Sequence, residues 1–154
     1  MNYCGYIKES INEGDGLRSV IFFSGCPFHC KGCHNLQSQS YSFGRPFTLD
    51  VQLQIIVDIK LNPLLDGITL CGGEVFADNN WREVLSFVKL LKDEIPNINI
   101  WSYTGYTIEE LLELPQIELL NEVDVLIDGR FIEELKDLTL KFRGSSNQRI
   151  IKLK

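Results

Sequence analysis

Apolar residues recur along this chain in two alternating rhythms. Short unbroken runs stop at glycine, as in "SVIFFSG" (Ser19–Gly25) and "GITLCGG" (Gly67–Gly73). Runs of this length bounded by turn residues predict buried strands. Between and after them the spacing changes to three and four. Val51, Ile55, Ile56 and Ile59 fall on one helical face, with Thr48 or Asp50 as the cap and a stop near Asn62-Pro63. From Asp78 or Asn80 onward, Val84, Leu85, Val88, Leu91 and Ile95 predict a longer amphipathic helix. "INIWSYTGY" reads as a third strand and a turn, and Thr107 with Glu110 as a capping box for "IEELLEL". "VDVLIDG" (Val123–Gly129) predicts a fourth strand and "QRIIKL" a fifth. Cys26 to Pro46 has little periodicity and reads as one long loop, which inside a small domain is usually functional.

Strands alternating with helices predict an α/β fold with a mainly parallel sheet and right-handed crossovers. Four or five strands are too few to close an eight-stranded barrel, so the expected architecture is an open partial (β/α) barrel. The chain is 154 residues long, which suits a single domain over residues 1–154. Ligands of such folds bind beyond the carboxyl ends of the strands. Four polar or glycine-bearing stretches, "GCPFHC", "CGGE", "YTGY" and "DGRF", each follow a predicted strand. They are expected to meet on one rim.

Charge and cysteine content narrow the chemistry. A formal net charge of -6 gives poor footing for nucleic acid, whose binding rests on neutralising phosphates. No apolar stretch is long enough to span a bilayer, and the start lacks a basic segment followed by an apolar run. The expected compartment is the cytoplasm, with neither membrane nor nucleic acid as a partner. The five cysteines are odd in number and three are crowded into "GCPFHCKGCHN". That pattern argues for a metal site in a reducing compartment, not a disulfide framework.

The crowded three are Cys26, Cys30 and Cys33, spaced C-x3-C-x2-C. Thiolates suit zinc and iron–sulfur clusters. Zinc would need a fourth ligand from His29, His34, Cys71 or Cys4, and structural zinc sites usually pair two short-spaced couples. No second couple exists here. An electron-carrying ferredoxin would use four cysteines. Three cysteines fit a [4Fe-4S] cluster with one iron left open, as a catalytic metal keeps a position for its substrate.

C-x3-C-x2-C after a first strand resembles the signature of the radical S-adenosylmethionine enzymes. "NEGDGLRSVIFFSGC", "CPFHCKGCHN", "TLCGGEVF", "WSYTGYT", "VDVLIDGRFI" and "FRGSSNQRII" narrow the likeness. In order and spacing they resemble the activating component of anaerobic (class III) ribonucleotide reductase, with "RGSSNQR" the most discriminating. The resemblance implies a partial barrel of the radical S-adenosylmethionine type, with a [4Fe-4S] cluster and S-adenosyl-L-methionine as cofactors. It implies Cys26, Cys30 and Cys33 as metal ligands. Gly72, Gly73 and Glu74 would approach the methionine portion, with Glu74 accepting from its amino group. Thr104 and Asp128 would approach the methionine or ribose, and His34 could lie against adenine. The implied partner is the large subunit of anaerobic ribonucleotide reductase, which receives a glycyl radical, with flavodoxin or ferredoxin as electron donor. Arg130, Arg143 and Arg149 could dock a partner or bind adenosine; exposed arginines are more often only solvated charges. The sequence departs from the family pattern at Val75 and Asp15, where proline is usual, which bears on loop rigidity. Competing readings are an activase of another glycyl-radical enzyme, such as pyruvate formate-lyase, and a non-enzymatic zinc-binding module.

Overall fold

A computed structural model describes residues Met1–Lys154. Strand β1 (Asn2–Ser10) leads to β2 (Arg18–Phe23), and a two-residue strand β3 (Arg45–Pro46) lies within the predicted long loop. Then come α1 (Leu49–Leu61), β4 (Gly67–Gly72), α2 (Trp81–Glu94) and β5 (Asn99–Tyr103). Two short helices, α3 (Ile108–Leu112) and α4 (Ile117–Leu120), precede β6 (Val125–Asp128), and β7 (Arg149–Lys152) closes the series. Of the two predicted caps for α1 the structure uses Thr48, with Asp50 inside the first turn, and the box of Thr107 and Glu110 caps α3 as the sequence predicts.

The strands form one seven-stranded sheet in the order β3-β1-β2-β4-β5-β6-β7. This corrects the expected open partial barrel with a mainly parallel sheet. Only β2, β4, β5 and β6 run parallel; β1–β2, β1–β3 and β6–β7 are antiparallel. The reason lies in the connections. A parallel neighbour needs a crossover of a dozen or more residues. Residues 11–17 between β1 and β2 are too few, so the two strands pair as a hairpin. β7 returns from β6 without an intervening α-helix and also pairs antiparallel. The result is a mixed sheet with four helices, two of them only five and four residues long, and not a helix-rich barrel. β1 gives no clean signal because its register shifts between Tyr3 and Gly5 and none of its residues is fully buried.

Alternate strand residues face the helices. Ile21, Phe23, Ile68, Leu70, Ile100 and Leu126 join Ile55, Ile56 and Ile59 of α1, with Val84, Phe87, Val88 and Leu91 of α2, in one core. Leu111 of α3 and Leu119 and Leu120 of α4 complete it. The opposite face carries a smaller cluster of Trp101, Val125 and Ile127, flanked by Tyr103 and Phe142. Because β2, β4, β5 and β6 are parallel, Phe23, Gly72, Tyr103 and Asp128 end them on the same edge. The rim expected from the sequence therefore survives the change of architecture.

At the other end of the strands stands Arg18, only 2% exposed. Its guanidinium donates to Thr69 Oγ1 at 2.9 Å, Ile68 O at 2.9 Å and Asp15 O at 3.1 Å. It also donates to Asn99 O and Asn99 Oδ1, both at 3.0 Å, and lies 5.1 Å from the Trp101 ring centroid. Burial pulls its pKa down to about 10. One cation thus stitches the first residues of β2 to β4 and β5. Truncation leaves several buried acceptors without donors, each a costly loss. Arg18→Ala is expected to lower stability by about 3 kcal/mol or more, measured by urea unfolding. A loss under about 1 kcal/mol would show that the stitch contributes little.

Candidate functional site

The cysteine loop begins where β2 runs out. Gly25 N donates to Ser38 O at 2.6 Å and Cys26 N to Gln39 O at 3.0 Å, so the loop closes on itself at its root. Cys33 N donates to Cys30 O at 3.1 Å and makes a turn between the second and third thiols. Cys26, Cys30 and Cys33 are all free and half-buried. Burial pushes the Cys26 thiol up, while backbone N–H groups of Phe28 and His29 favour its thiolate. Backbone donors of this kind stabilise a metal-bound sulfur and tune the potential of a cluster.

The loop after β4 docks directly on this root. Gly73 N donates to Phe23 O and Glu74 N to Gly25 O, both at 2.8 Å. A Cβ on Gly73 would stand 2.5 Å from Gly25 O and 2.8 Å from Ser38 O, so only glycine permits this approach. The close approach expected here is thus first to the chain's own cysteine loop.

Glu74 is 1% exposed, and its carboxylate is fully organised by protein donors. Oε1 accepts from Phe76 N at 2.9 Å and Thr104 Oγ1 at 2.8 Å; Oε2 accepts from Gly105 N at 2.7 Å. Burial raises its pKa to about 7 against these bonds and the nearby charge of Arg130, which lower it. A carboxylate has about four acceptor positions, so one remains on Oε2. Val75 is fully buried in the core, so packing holds this loop.

The tip of the cysteine loop is held by Phe28, between the first two thiols. Its ring packs edge-on against Tyr106 with centroids 4.8 Å apart, and the Arg130 guanidinium lies 4.3 Å from its centroid. A Cβ on Gly105 would meet the Phe28 ring at 2.5 Å. Lys31 pairs with Glu133 at 3.2 Å. The loops following β2, β4, β5 and β6 are therefore tied together on one rim. Sequence reading passed over Phe28; its only signal was an aromatic residue inside the C-x3-C spacing.

Of the residues singled out from the sequence, the structure joins Gly72, Gly73, Glu74 and Thr104 to the root of the cysteine loop. Thr104 is buried, and its hydroxyl hydrogen is spent on Glu74. Asp128 belongs to a different network. Its Oδ1 accepts from Arg149 Nε at 2.9 Å, its Oδ2 from Arg149 Nη2 and from Ile108 N at 2.9 Å. Arg149 also grips Glu109 with both terminal nitrogens. His34 is exposed. The segment "RGSSNQR" builds a latch: Gln148 Nε2 donates to Gly129 O at 2.9 Å and Asn147 Nδ2 to Arg130 O at 2.8 Å.

No three His, Cys, Asp or Glu side chains are arranged to hold one metal ion. In a cubane cluster each thiolate takes a different iron, so its sulfurs stand farther apart than the ligands of one ion. Three free, half-buried thiols on one loop fit such a cluster by their chemistry.

A family model described as a 4Fe-4S single cluster domain matches residues 12–151. The anaerobic ribonucleoside-triphosphate reductase-activating protein of Haemophilus influenzae is 42% identical over 155 residues, covering 100% of this chain and 99% of the relative. The protein of the same name from Pasteurella multocida is 41% identical over 150 residues, 96% of this chain and 95% of the relative. That of Enterobacteria phage T4 is 33% identical over 150 residues, 97% of this chain and 93% of the relative.

Two outcomes are expected of this geometry. In the folded chain Glu74 titrates near 7, above the ordinary value of about 4.5, so the folded state holds an extra proton between those limits. Stability present below about pH 4.5 is lost as pH rises to about 7. In the cluster-free protein, Glu74→Gln should remove that loss, gaining on the order of 3 kcal/mol relative to wild type across this window. Parallel denaturant midpoints at every pH would refute it. Separately, Gly105→Ala should push Phe28 off Tyr106 and speed proteolysis of the cysteine loop several-fold, with β-sheet circular dichroism retained.

Proposed function

This chain belongs to the anaerobic ribonucleoside-triphosphate reductase-activating proteins and carries a 4Fe-4S single cluster domain, and from that premise we propose that it is a radical S-adenosylmethionine activase. Its substrate is S-adenosyl-L-methionine and its target a glycine on the large subunit of anaerobic ribonucleotide reductase. When bound, the cluster supplies one electron, received from flavodoxin or ferredoxin, to break the carbon–sulfur bond to methionine and a 5′-deoxyadenosyl radical. The hydrogen atom would come from the glycine Cα, so that the products would be 5′-deoxyadenosine and a glycyl radical on the reductase.

The residues of this chain place the parts. Cys26, Cys30 and Cys33 would hold the cluster as thiolates and leave one iron open to the amino and carboxylate groups of S-adenosylmethionine. Glu74 offers the vacant acceptor position on Oε2 to the amino group. Gly105 and Thr104 hold that carboxylate in position, so it need not reorganise when its ligand arrives. Asp128 acts indirectly in this reading, anchoring β6 and the start of α3 through Arg149. His34, exposed beside Cys33, is left to the adenine side.

The observation that carries the reading is the 2.8 Å bond from Glu74 N to Gly25 O. It fixes the acceptor carboxylate's main chain to the peptide entering the first cysteine. A zinc module has no need of a buried glutamate outside its thiol set, bonded from the loop after β4 to the thiol loop. Cys26→Ala, Cys30→Ala and Cys33→Ala should each abolish S-adenosylmethionine cleavage, whereas Cys4→Ala and Cys71→Ala should retain it. With anaerobic ribonucleotide reductase deuterated at glycine Cα, deuterium should appear in 5′-deoxyadenosine and a glycyl-radical resonance on the reductase. Cleavage that proceeds while neither label nor radical is transferred would sink the activase reading.

A further inference from the structure

Asn80 stands one residue before α2, where sequence reading expects a helix cap. It makes no capping bond, and its backbone is already helical, with φ -115° and ψ -46°. Its side chain is engaged elsewhere. Nδ2 lies 2.9 Å from Glu74 O, 3.1 Å from Ser24 O and 3.3 Å from Gly25 O. Two amide hydrogens are shared among three main-chain carbonyls, in a position 1% exposed. The three acceptors fix which way the amide faces, since a flip would set Oδ1 against three carbonyl oxygens. Oδ1 itself is buried with no partner. The residue thus forgoes a helix cap and leaves one atom unpaired, a combination that ordinary packing does not reward.

The three carbonyls have a common meaning. Gly25 O belongs to the peptide bond entering Cys26, and Ser24 O to the one before it. Glu74 O belongs to the residue that would receive the methionine amino group. One planar amide therefore touches the main chains of the cluster loop and of the Glu74 loop at once. Apart from it, the two are joined by the Glu74 N–Gly25 O and Gly73 N–Phe23 O bonds, which tolerate pivoting about the strand ends. The amide adds off-axis points of attachment and removes that pivot.

We propose that Asn80 is a positioning residue that sets the distance from the cysteine loop to the Glu74 carboxylate, and so tunes how S-adenosylmethionine seats on the open iron. The proposal rests on the radical activase reading. A small misplacement between groups that must act together weakens their joint grip well before either fails alone. Losing Asn80 should therefore leave cluster assembly intact and loosen the cofactor.

The test uses full-length wild type and Asn80→Ala, both reconstituted anaerobically. Three quantities are read: iron and sulfide per chain, the affinity for S-adenosylmethionine, and the cofactor-induced change in the paramagnetic resonance of the reduced cluster. Asn80→Ala is expected to match wild type in iron and sulfide, bind the cofactor about tenfold more weakly, and show an altered resonance shift at saturation. Wild-type affinity and an unchanged shift would overturn the proposal. So would joint loss of cluster and cofactor binding in a folded variant, which would make Asn80 merely structural. If Asn80→Ala does not fold, Asn80→Ser, which keeps one donor, carries the same readings, and normal cofactor affinity there with the hydroxyl unbonded to Glu74 or Gly25 overturns it. A wild type whose resonance ignores S-adenosylmethionine would instead refute the activase reading itself.

Discussion

A carboxylate taken out of water must find its hydrogen bonds inside the protein, and Glu74 finds three. Those donors come from its own loop and from the loop after β5. Satisfying one buried charge therefore fixes two loops together. The main chain of the same residue holds the cysteine loop through Gly25. Desolvation raises the carboxyl's affinity for protons, and the surrounding donors restrain that rise. The group sits near neutrality as a result, poised between a structural acid and an available acceptor. Weakening any of its donors shifts both roles at once.

The sheet separates holding from working. Arg18 ties the opening residues of β2, β4 and β5 to one another at one end. At the other end the strands are released into loops that bond mainly to each other. Helices cover only one face, so the loops need not share space with crossovers on the far side. A rigid base with loops cross-linked at the top is how irregular backbone keeps a fixed shape without regular pairing.

Much of this was legible in the sequence. Apolar runs ending at glycine marked β2 and β4, the mixed stretches "INIWSYTGY" and "VDVLIDG" marked β5 and β6, and the three-and-four spacing marked α1 and α2. The cysteine spacing and the Gly-Gly-Glu stretch marked two of the rim loops. Strand direction was not legible at the sheet's margins, because it depends on connection length and on the absence of a crossover helix between β6 and β7, not on local pattern. β1 was missed since a half-exposed strand with a shifted register shows neither alternation nor a solid apolar run. Asp128 was expected near the methionine or ribose because the family resemblance implies it, not from any local pattern. Only its long-range pairing with Arg149, 21 residues onward, shows it engaged elsewhere. Asn80 read as a cap because its preferences suit one; contacts 55 and 56 residues away decided otherwise.

The margins of the sheet carry one more consequence. A mixed sheet that never closes into a barrel leaves two open edges, each a template on which another chain could add a strand. Here the first edge is β3, two exposed residues, one of them Pro46, which has no N–H to offer. The last is β7, only four residues long and bearing Arg149 and Lys152. Both margins are short, and both are blunted by proline or positive charge. The molecule can therefore keep a wide, loop-rich rim open to visitors while its backbone discourages edge-to-edge growth into aggregates.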